Sequence, residues 1–263
     1  MSDKPLLLMT GAAGNLGTWL RPVLAAEGWR VRLSDLRRPD PLLPNETWVR
    51  ARLEVARHMR RACAGTGALL HLGGAPTERD WPALITANVT GLTNCLEAAR
   101  ASGVRRIVLA STMHVVGMHP RSVGIDEESV FAPDTRYGAT KLFAEGVGRL
   151  FAEKYGLAVT ALRIGHVMPH VAAAVPGEGI AVADLARLVA LVLDDDRPGF
   201  RLYHAVAPHP GYPLSDGRLR SELGFTFTEQ GPDRATILAR IEADPSLAPR
   251  ARIYRGGHFA GYD

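Results

Sequence analysis

Tyr137 and Lys141 stand four residues apart in Tyr137-Gly138-Ala139-Thr140-Lys141. On a helix this spacing puts both side chains on one face. A phenol and an ammonium presented together suit the oxidation of an alcohol, which needs a base for the hydroxyl proton while hydride leaves for a nicotinamide. Free tyrosine titrates near ~10, and an adjacent ammonium together with a cationic nicotinamide ring favours the phenolate. Lys141 can also hydrogen-bond the ribose of such a cofactor. Ser111-Thr112 closes an apolar run, with Thr112 lying 25 residues before Tyr137. A hydroxyl at that strand end would hold the substrate oxygen beside the phenol. Thr112, Tyr137 and Lys141 are therefore the candidate catalytic set.

A second group of residues suits a dinucleotide. In Thr10-Gly11-Ala12-Ala13-Gly14-Asn15-Leu16-Gly17, Gly11 allows a tight turn, Gly14 lets the backbone approach a pyrophosphate, and Gly17 lets a helix pack closely on a strand. The free N–H groups and the positive dipole end of the following helix attract the phosphates. Asp35 comes 24 residues after Gly11 at the end of a second apolar run. Its carboxylate can accept hydrogen bonds from ribose hydroxyls and would repel a 2′-phosphate, which favours NAD over NADP. Arg37 and Arg38 could reach round to a phosphate and act in the opposite sense.

These residues must be placed by regular elements. Apolar runs at 5–10, 30–34, 48–53, 68–72, 106–111 and 157–164 predict strands, and helical spacing predicts helices over 15–27, 54–64, 81–102, 136–155 and 181–193. Residues 201–206 read as extended. The alternation implies a parallel sheet with helices on both faces, an α/β fold. In such sheets ligands bind outside the carboxyl ends of the strands, where the glycine turn, Thr112 and the Tyr/Lys pair are expected. Residues 167–182 show little periodicity and read either as a loop over the substrate or as an ordinary connection.

Composition excludes several classes. A chain of 263 residues, 46% hydrophobic, can bury a sizeable core without disulfides or metals. The two cysteines, Cys63 and Cys95, form no CxxC pair, so neither a zinc site nor a disulfide framework is expected, and Cys95 reads as a core residue. His166 and His170 have the spacing of a metal pair, but Pro169 between them opposes the helix such a pair needs. The net charge is +4, with arginines scattered in pairs, which argues against a nucleic-acid binder. No apolar run is long enough to cross a membrane, and the first one is too short for a signal-peptide core, so a cytoplasmic protein is expected.

Taken together, the glycine turn, His71-Leu72-Gly73-Gly74, Asn88-Val89-Thr90-Gly91, Ser111-Thr112 and the Tyr137/Lys141 pair resemble the extended short-chain dehydrogenase/reductase superfamily, also described as NAD-dependent epimerases and dehydratases. Within it, His71-Leu72-Gly73-Gly74, Arg163-Ile164-Gly165 and the tail Arg252-Ile253-Tyr254-Arg255-Gly256-Gly257-His258-Phe259 resemble uronate dehydrogenases. The resemblance implies a Rossmann-type doubly wound parallel sheet. Residues 1–165 would bind NAD, and residues 166–263 would form a small substrate-binding and C-terminal region. It implies NAD contacts at Gly11, Ala13, Gly14, Asn15, Leu16, Gly17, Asp35, Leu53, Leu72, Gly73, Gly74, Asn88, Tyr137, Lys141 and Ile164. It implies substrate contacts at Ala75, Pro76, Thr112, Met113, His114, Tyr137 and His166, and a homo-oligomer formed through the two long helices. His71 is expected to line the cofactor or support structure rather than catalyse.

The sequence also departs from the uronate pattern. Where those enzymes read Ser-Ser-Asn-His, this chain reads Ser111-Thr112-Met113-His114, so Met113 replaces an amide. Pro76 and His166 each replace a serine. No arginine lies between Arg163 and Arg187, where a carboxylate clamp is expected, and Arg52 replaces an aspartate near the adenine. The expected substrate is thus a secondary hydroxyl or sugar hemiacetal other than a simple uronate. A sugar-nucleotide epimerase is the alternative within the superfamily, and a non-catalytic NAD sensor is the alternative outside enzymes. The former usually carries a longer C-terminal region, and the intact catalytic set argues against the latter.

Overall fold

Leu7, Leu8 and Met9 are wholly buried, as a strand covered on both faces requires. They belong to β1 (Leu7–Thr10) in a computed structural model that describes residues 4–171, 178–214 and 217–261. After β1 come α1 (Asn15–Ala26), β2 (Val31–Asp35), β3 (Glu46–Arg50), α2 (Ala56–Cys63) and β4 (Ala68–His71). Next are α3 (Trp81–Leu84), a π-helical turn (Ile85–Thr90), α4 (Gly91–Ala101), β5 (Arg106–Thr112), a 3-10 turn (Met113–Val116) and α5 (Arg136–Tyr155). The chain continues through β6 (Ala158–Ile164), β7 (His166–Met168), β8 (Gly179–Ala181), α6 (Val182–Asp194) and β9 (Gly199–Ala205). Three short helices follow: α7 (Gly217–Leu223), α8 (Arg234–Ala243) and α9 (Pro249–Ile253).

Seven strands form one sheet in the order β3-β2-β1-β4-β5-β6-β9. The pairs β2–β3, β1–β2, β1–β4 and β4–β5 are parallel. This is the Rossmann-type order, in which the chain reverses its direction of growth between β1 and β4, and ligands of such sheets bind at that switch point. In the β1–β4 register Thr10 stands opposite His71, so the glycine-rich turn and the His71-Leu72-Gly73-Gly74 motif leave from adjacent strand ends. The described residues group into two compact units. One comprises Met1–Ala110, Phe143–Ala161 and Val189–Arg201; the other comprises Ser111–Leu142, Leu162–Leu188 and Leu202–Asp263.

Three expectations shift in detail. The strand expected over 48–53 occupies Glu46–Arg50, because β3 pairs residue for residue with β2 from Val31↔Glu46 to Asp35↔Arg50. Glu46 hides the strand's start from a hydrophobicity reading. It is buried because Arg21 donates to both of its carboxylate oxygens, at 2.8 and 2.6 Å. The helix expected over 81–102 contains the π-helical turn, which turns the buried Asn88 inward. Past residue 206 the sequence offered little periodicity, yet α7, α8 and α9 form there. Asp233 caps α8 by accepting from Thr236 N at 2.7 Å. Ile237 and Ile241 of α8 pack with Tyr212, Leu247 and Ala251 in a small apolar cluster.

Candidate active site

In the first unit the glycine turn has the geometry its sequence demands. Gly11 adopts φ +68°, and a Cβ there would lie 2.7 Å from Gly73 N. A Cβ on Gly17 would lie 2.5 Å from Ala12 O, so only glycine allows α1 to approach the turn. Gly14 is the N-cap of α1, and no side chain caps it. Gly14 and Asn15 are exposed, which leaves the first-turn N–H groups open to an anion.

Asp35 is tied to this turn: Ala13 N donates to Oδ2 at 2.9 Å, and Leu36 N donates to Oδ1 at 2.6 Å. Three backbone and side-chain groups are knit together at the switch point. Thr10 Oγ1 lies 2.9 Å from His71 Nδ1 and accepts from Gly73 N at 3.2 Å, so His71 is a structural partner of the turn. A Cβ on Gly73 would meet Leu53 at 2.9 Å. Leu72 N donates to Thr10 O at 3.3 Å. Asn88 Oδ1 accepts from Ala75 N at 2.7 Å and its Nδ2 donates to Ala75 O at 3.1 Å. The amide thereby shapes the Gly74-Ala75 backbone, and π-helical turns recur at such functional positions. A dinucleotide therefore fits these residues: the cradle has no Cβ to fill it, the helix end is uncapped, and a carboxylate is fixed beside it.

In the second unit, β5 ends at Thr112 and α5 begins one residue before Tyr137. Thr112 hydrogen-bonds the Tyr137 phenol and also accepts from His114 N at 3.3 Å. Lys141 Nζ lies 5.7 Å from the centroid of the Tyr137 ring. Burial dominates the titration of both groups. It pushes the Tyr137 phenol up to about 12, with the Thr112 hydrogen bond acting the other way, and it pulls Lys141 down to about 8. The sequence reading ties the phenolate to the ammonium and a cationic nicotinamide acting together. In the unliganded chain desolvation dominates, because a phenolate taken out of water loses its solvation. Lys141 still keeps its charge at neutral pH.

Met113 packs with Val116, Ile125 and Val206 and is largely buried. Pro76, in the first unit, is exposed, as is His166 on β7. Ile164 is buried at the end of β6. His170 already meets a carboxylate: its Nδ1 lies 2.9 Å from Glu229 Oε1, and Glu229 Oε2 accepts from Val171 N at 2.8 Å. The stretch expected as a loop over the substrate, 167–182, falls partly outside the described residues, including its alanines 172–174. Two residues missed in the sequence surround His114. Asp134 binds its Nδ1 at 2.8 Å, and the Phe259 ring packs edge-on at 4.7 Å between centroids. Asp134 lies three residues before Tyr137, and Phe259 closes the tail motif. Among the described residues no group of three histidine, cysteine or acidic side chains could hold a metal ion. Among them no helix is long and apolar enough to cross a membrane.

Comparison with known proteins follows the same lines. Residues 7–174 match the model of the NAD dependent epimerase/dehydratase family. The chain is 30% identical to a uronate dehydrogenase of Pseudomonas syringae pv. tomato, over 96% of this chain and 92% of that one. It is 31% identical to an L-arabinose 1-dehydrogenase (NAD(P)(+)) of Haloferax volcanii, over 62% of this chain and 67% of that one. A crystal structure of uronate dehydrogenase from Agrobacterium tumefaciens, a tyrosine-to-alanine mutant complexed with NAD, superposes with a TM-score of 0.86. It shares 29% identity and covers 98% of this chain and 97% of that one.

Proposed function

The chain belongs to the NAD dependent epimerase/dehydratase family, and on that footing we propose that it is an NAD-dependent oxidoreductase of the extended short-chain dehydrogenase type. It resembles uronate dehydrogenases and acts on a secondary hydroxyl or hemiacetal of a sugar-like molecule. The observation that carries this reading is the Thr112–Tyr137–Lys141 set, with Thr112 and Lys141 buried and the Tyr137 phenol hydrogen-bonded to Thr112.

When bound, NAD supplies the hydride acceptor. Gly11, Ala13, Gly14, Asn15, Leu16 and Gly17 hold its pyrophosphate at the start of α1, and Asp35 accepts from the ribose hydroxyls. Leu53, Leu72, Gly73, Gly74, Asn88 and Ile164 line the remainder. Thr112 holds the substrate oxygen, Tyr137 takes its proton, and Lys141 orients the ribose while its charge favours the phenolate. Residues from 166 onward contribute to the substrate side. The enzyme is cytoplasmic, and it self-associates through its two long helices; the exposed Trp81, Ile85, Phe143 and Leu150 support the self-association.

NAD is expected to bind more tightly than NADP in a calorimetric titration, by about tenfold or more, which is ~1.4 kcal/mol. The fixed Asp35 carboxylate would face the 2′-phosphate, and Arg52 is drawn toward Glu54 at 2.6 Å. Tighter binding of NADP would instead assign the phosphate to Arg37 or Arg38.

For the substrate, a uronate needs several donors for its carboxylate. No arginine lies between Arg163 and Arg187, where the clamp is expected, Met113 sits in an apolar cluster, Pro76 has no donor, and His170 faces Glu229. A panel of uronates, neutral aldoses and hydrophobic alcohols, followed by absorbance of the reduced nicotinamide, tests the reading. Turnover is expected on a less acidic member and little on glucuronate or galacturonate. A kcat/KM of about 10⁴ M⁻¹s⁻¹ or more on glucuronate would overturn the substrate assignment. Failure of every alcohol in a broad panel to reduce NAD would overturn the enzymatic one.

A further inference from the structure

Asp134 is a carboxylate wholly shielded from water, and it has few donors to offset that. His114 Nδ1 lies 2.8 Å from Oδ2 and 3.0 Å from Oδ1, and Thr135 Oγ1 donates to Oδ1 at 3.0 Å. Room for the carboxylate is made by two glycines from distant parts of the chain. A Cβ on Gly117 or on Gly256 would collide with Asp134 Oδ2. Gly256 N donates to Gly117 O at 2.8 Å, so the tail pairs with the segment after β5 and the acid is seated against both. On its other side His114 meets the Phe259 ring edge-on at 4.7 Å, and its centroid lies 6.0 Å from that of Tyr137. The imidazole is about one-quarter exposed, and its Nε2 meets no hydrogen-bond partner among the described residues.

We propose that Asp134, admitted by Gly117 and Gly256, is a positioning residue that holds His114 with its proton on Nδ1, leaving Nε2 as an acceptor for a hydroxyl of the substrate. This rests on the dehydrogenase reading above and deepens it by naming the chemistry recognised beside Tyr137. A histidine donating from one nitrogen to a carboxylate keeps a lone pair on the other, and the same pairing fixes ring and tautomer in hydrolytic triads and metal sites. An accepting Nε2 selects a molecule with a donor hydroxyl next to the one being oxidised, and it disfavours a carboxylate, which can only accept. The tail motif Tyr254-Arg255-Gly256-Gly257-His258-Phe259 thereby acquires a role: Gly256 admits the acid and Phe259 braces the ring.

The tautomer can be read without substrate or cofactor, by ¹⁵N-resolved NMR of the wild-type protein at about pH 8.5, above the ordinary histidine range. The expected result is a proton on Nδ1 of His114; a proton on Nε2 with a bare Nδ1 would overturn the proposal. Asp134→Asn is expected to abolish the single tautomer. It should raise KM for the working substrate about tenfold, one hydrogen bond's worth, with a smaller fall in kcat and unchanged NAD affinity. An unchanged KM, or equal losses in kcat and NAD affinity, would overturn it. If no alcohol proves to be a substrate, the functional reading falls and the tautomer still decides the role of Asp134.

Discussion

Tyr137→Phe is expected to lower kcat by ~10²–10⁴-fold, the usual effect of losing a positioned acid or base, while the Kd for NAD stays nearly unchanged. Phenylalanine keeps the ring, so the packing against His114 and the shape of the first turn of α5 persist. Only the hydroxyl that binds Thr112 is lost. In the unliganded chain burial pushes the phenol up to about 12, whereas Lys141, drawn down to about 8, remains charged near neutrality. The phenol therefore stays protonated until further positive charge arrives beside it, and a bound oxidised nicotinamide carries that charge. Lys141→Ala should behave differently. It removes the buried ammonium that supports the phenolate and also contacts the ribose, so kcat and NAD affinity should fall together. Steady-state kinetics paired with calorimetry separates the two patterns. Near-wild-type turnover in Tyr137→Phe would remove Tyr137 from the chemistry, and intact NAD affinity in Lys141→Ala would remove Lys141 from the ribose.

The glycine turn and the catalytic candidates could be named from sequence because their spacing is local. The glycine turn, Asp35 at a strand end, and the Thr112 and Tyr137/Lys141 spacings each lie within one strand–turn–helix passage. There periodicity and turn residues speak for themselves. What was hidden depends on partners far away in sequence. Glu46 fell outside the strand expected over 48–53 because the arginine that lets it be buried, Arg21, lies on α1. Asp134 carries no signal in the sequence, since the two glycines that admit it are separated by 139 positions, Gly117 to Gly256. The upward push on the Tyr137 phenol in the unliganded chain was hidden for a related reason: sequence spacing reveals the charge next door but not the loss of solvent. The short helices α7–α9 bury few residues each, so their apolar stripes are too brief to register as a period.

Glu178→Gln is expected to destabilise the protein by ~3–5 kcal/mol, because it leaves a buried guanidinium without its counter-charge. Arg255 and Glu178 form a salt bridge with side chains only 1% and 4% exposed. Arg255 Nη2 also donates to Val123 O and Pro213 O, both at 2.7 Å. Arg121 is buried too, with Nη1 3.4 Å from the Tyr212 hydroxyl and with Nε and Nη2 meeting no partner among the described residues. The Arg255 guanidinium lies 5.0 Å from the centroid of that same tyrosine ring. His204 nearby is held neutral, its imidazole pulled down to about 3, first by burial and then by Arg163 and Arg255. Glutamine keeps the shape of Glu178 and removes the charge, so the loss reports electrostatics rather than a cavity. The exposed pair Arg52–Glu54 is the contrast: water and salt screen it, and Glu54→Gln should change stability by at most ~1 kcal/mol. Pairing Glu178→Leu with Arg255→Met should cost less than the sum of the two single changes, since neither charge is then stranded. Chemical denaturation of the four species measures that difference. Additive single changes, or a Glu178→Gln protein within ~1 kcal/mol of wild type, would show that solvent already reaches the pair and that the tail is held by its backbone and apolar contacts alone.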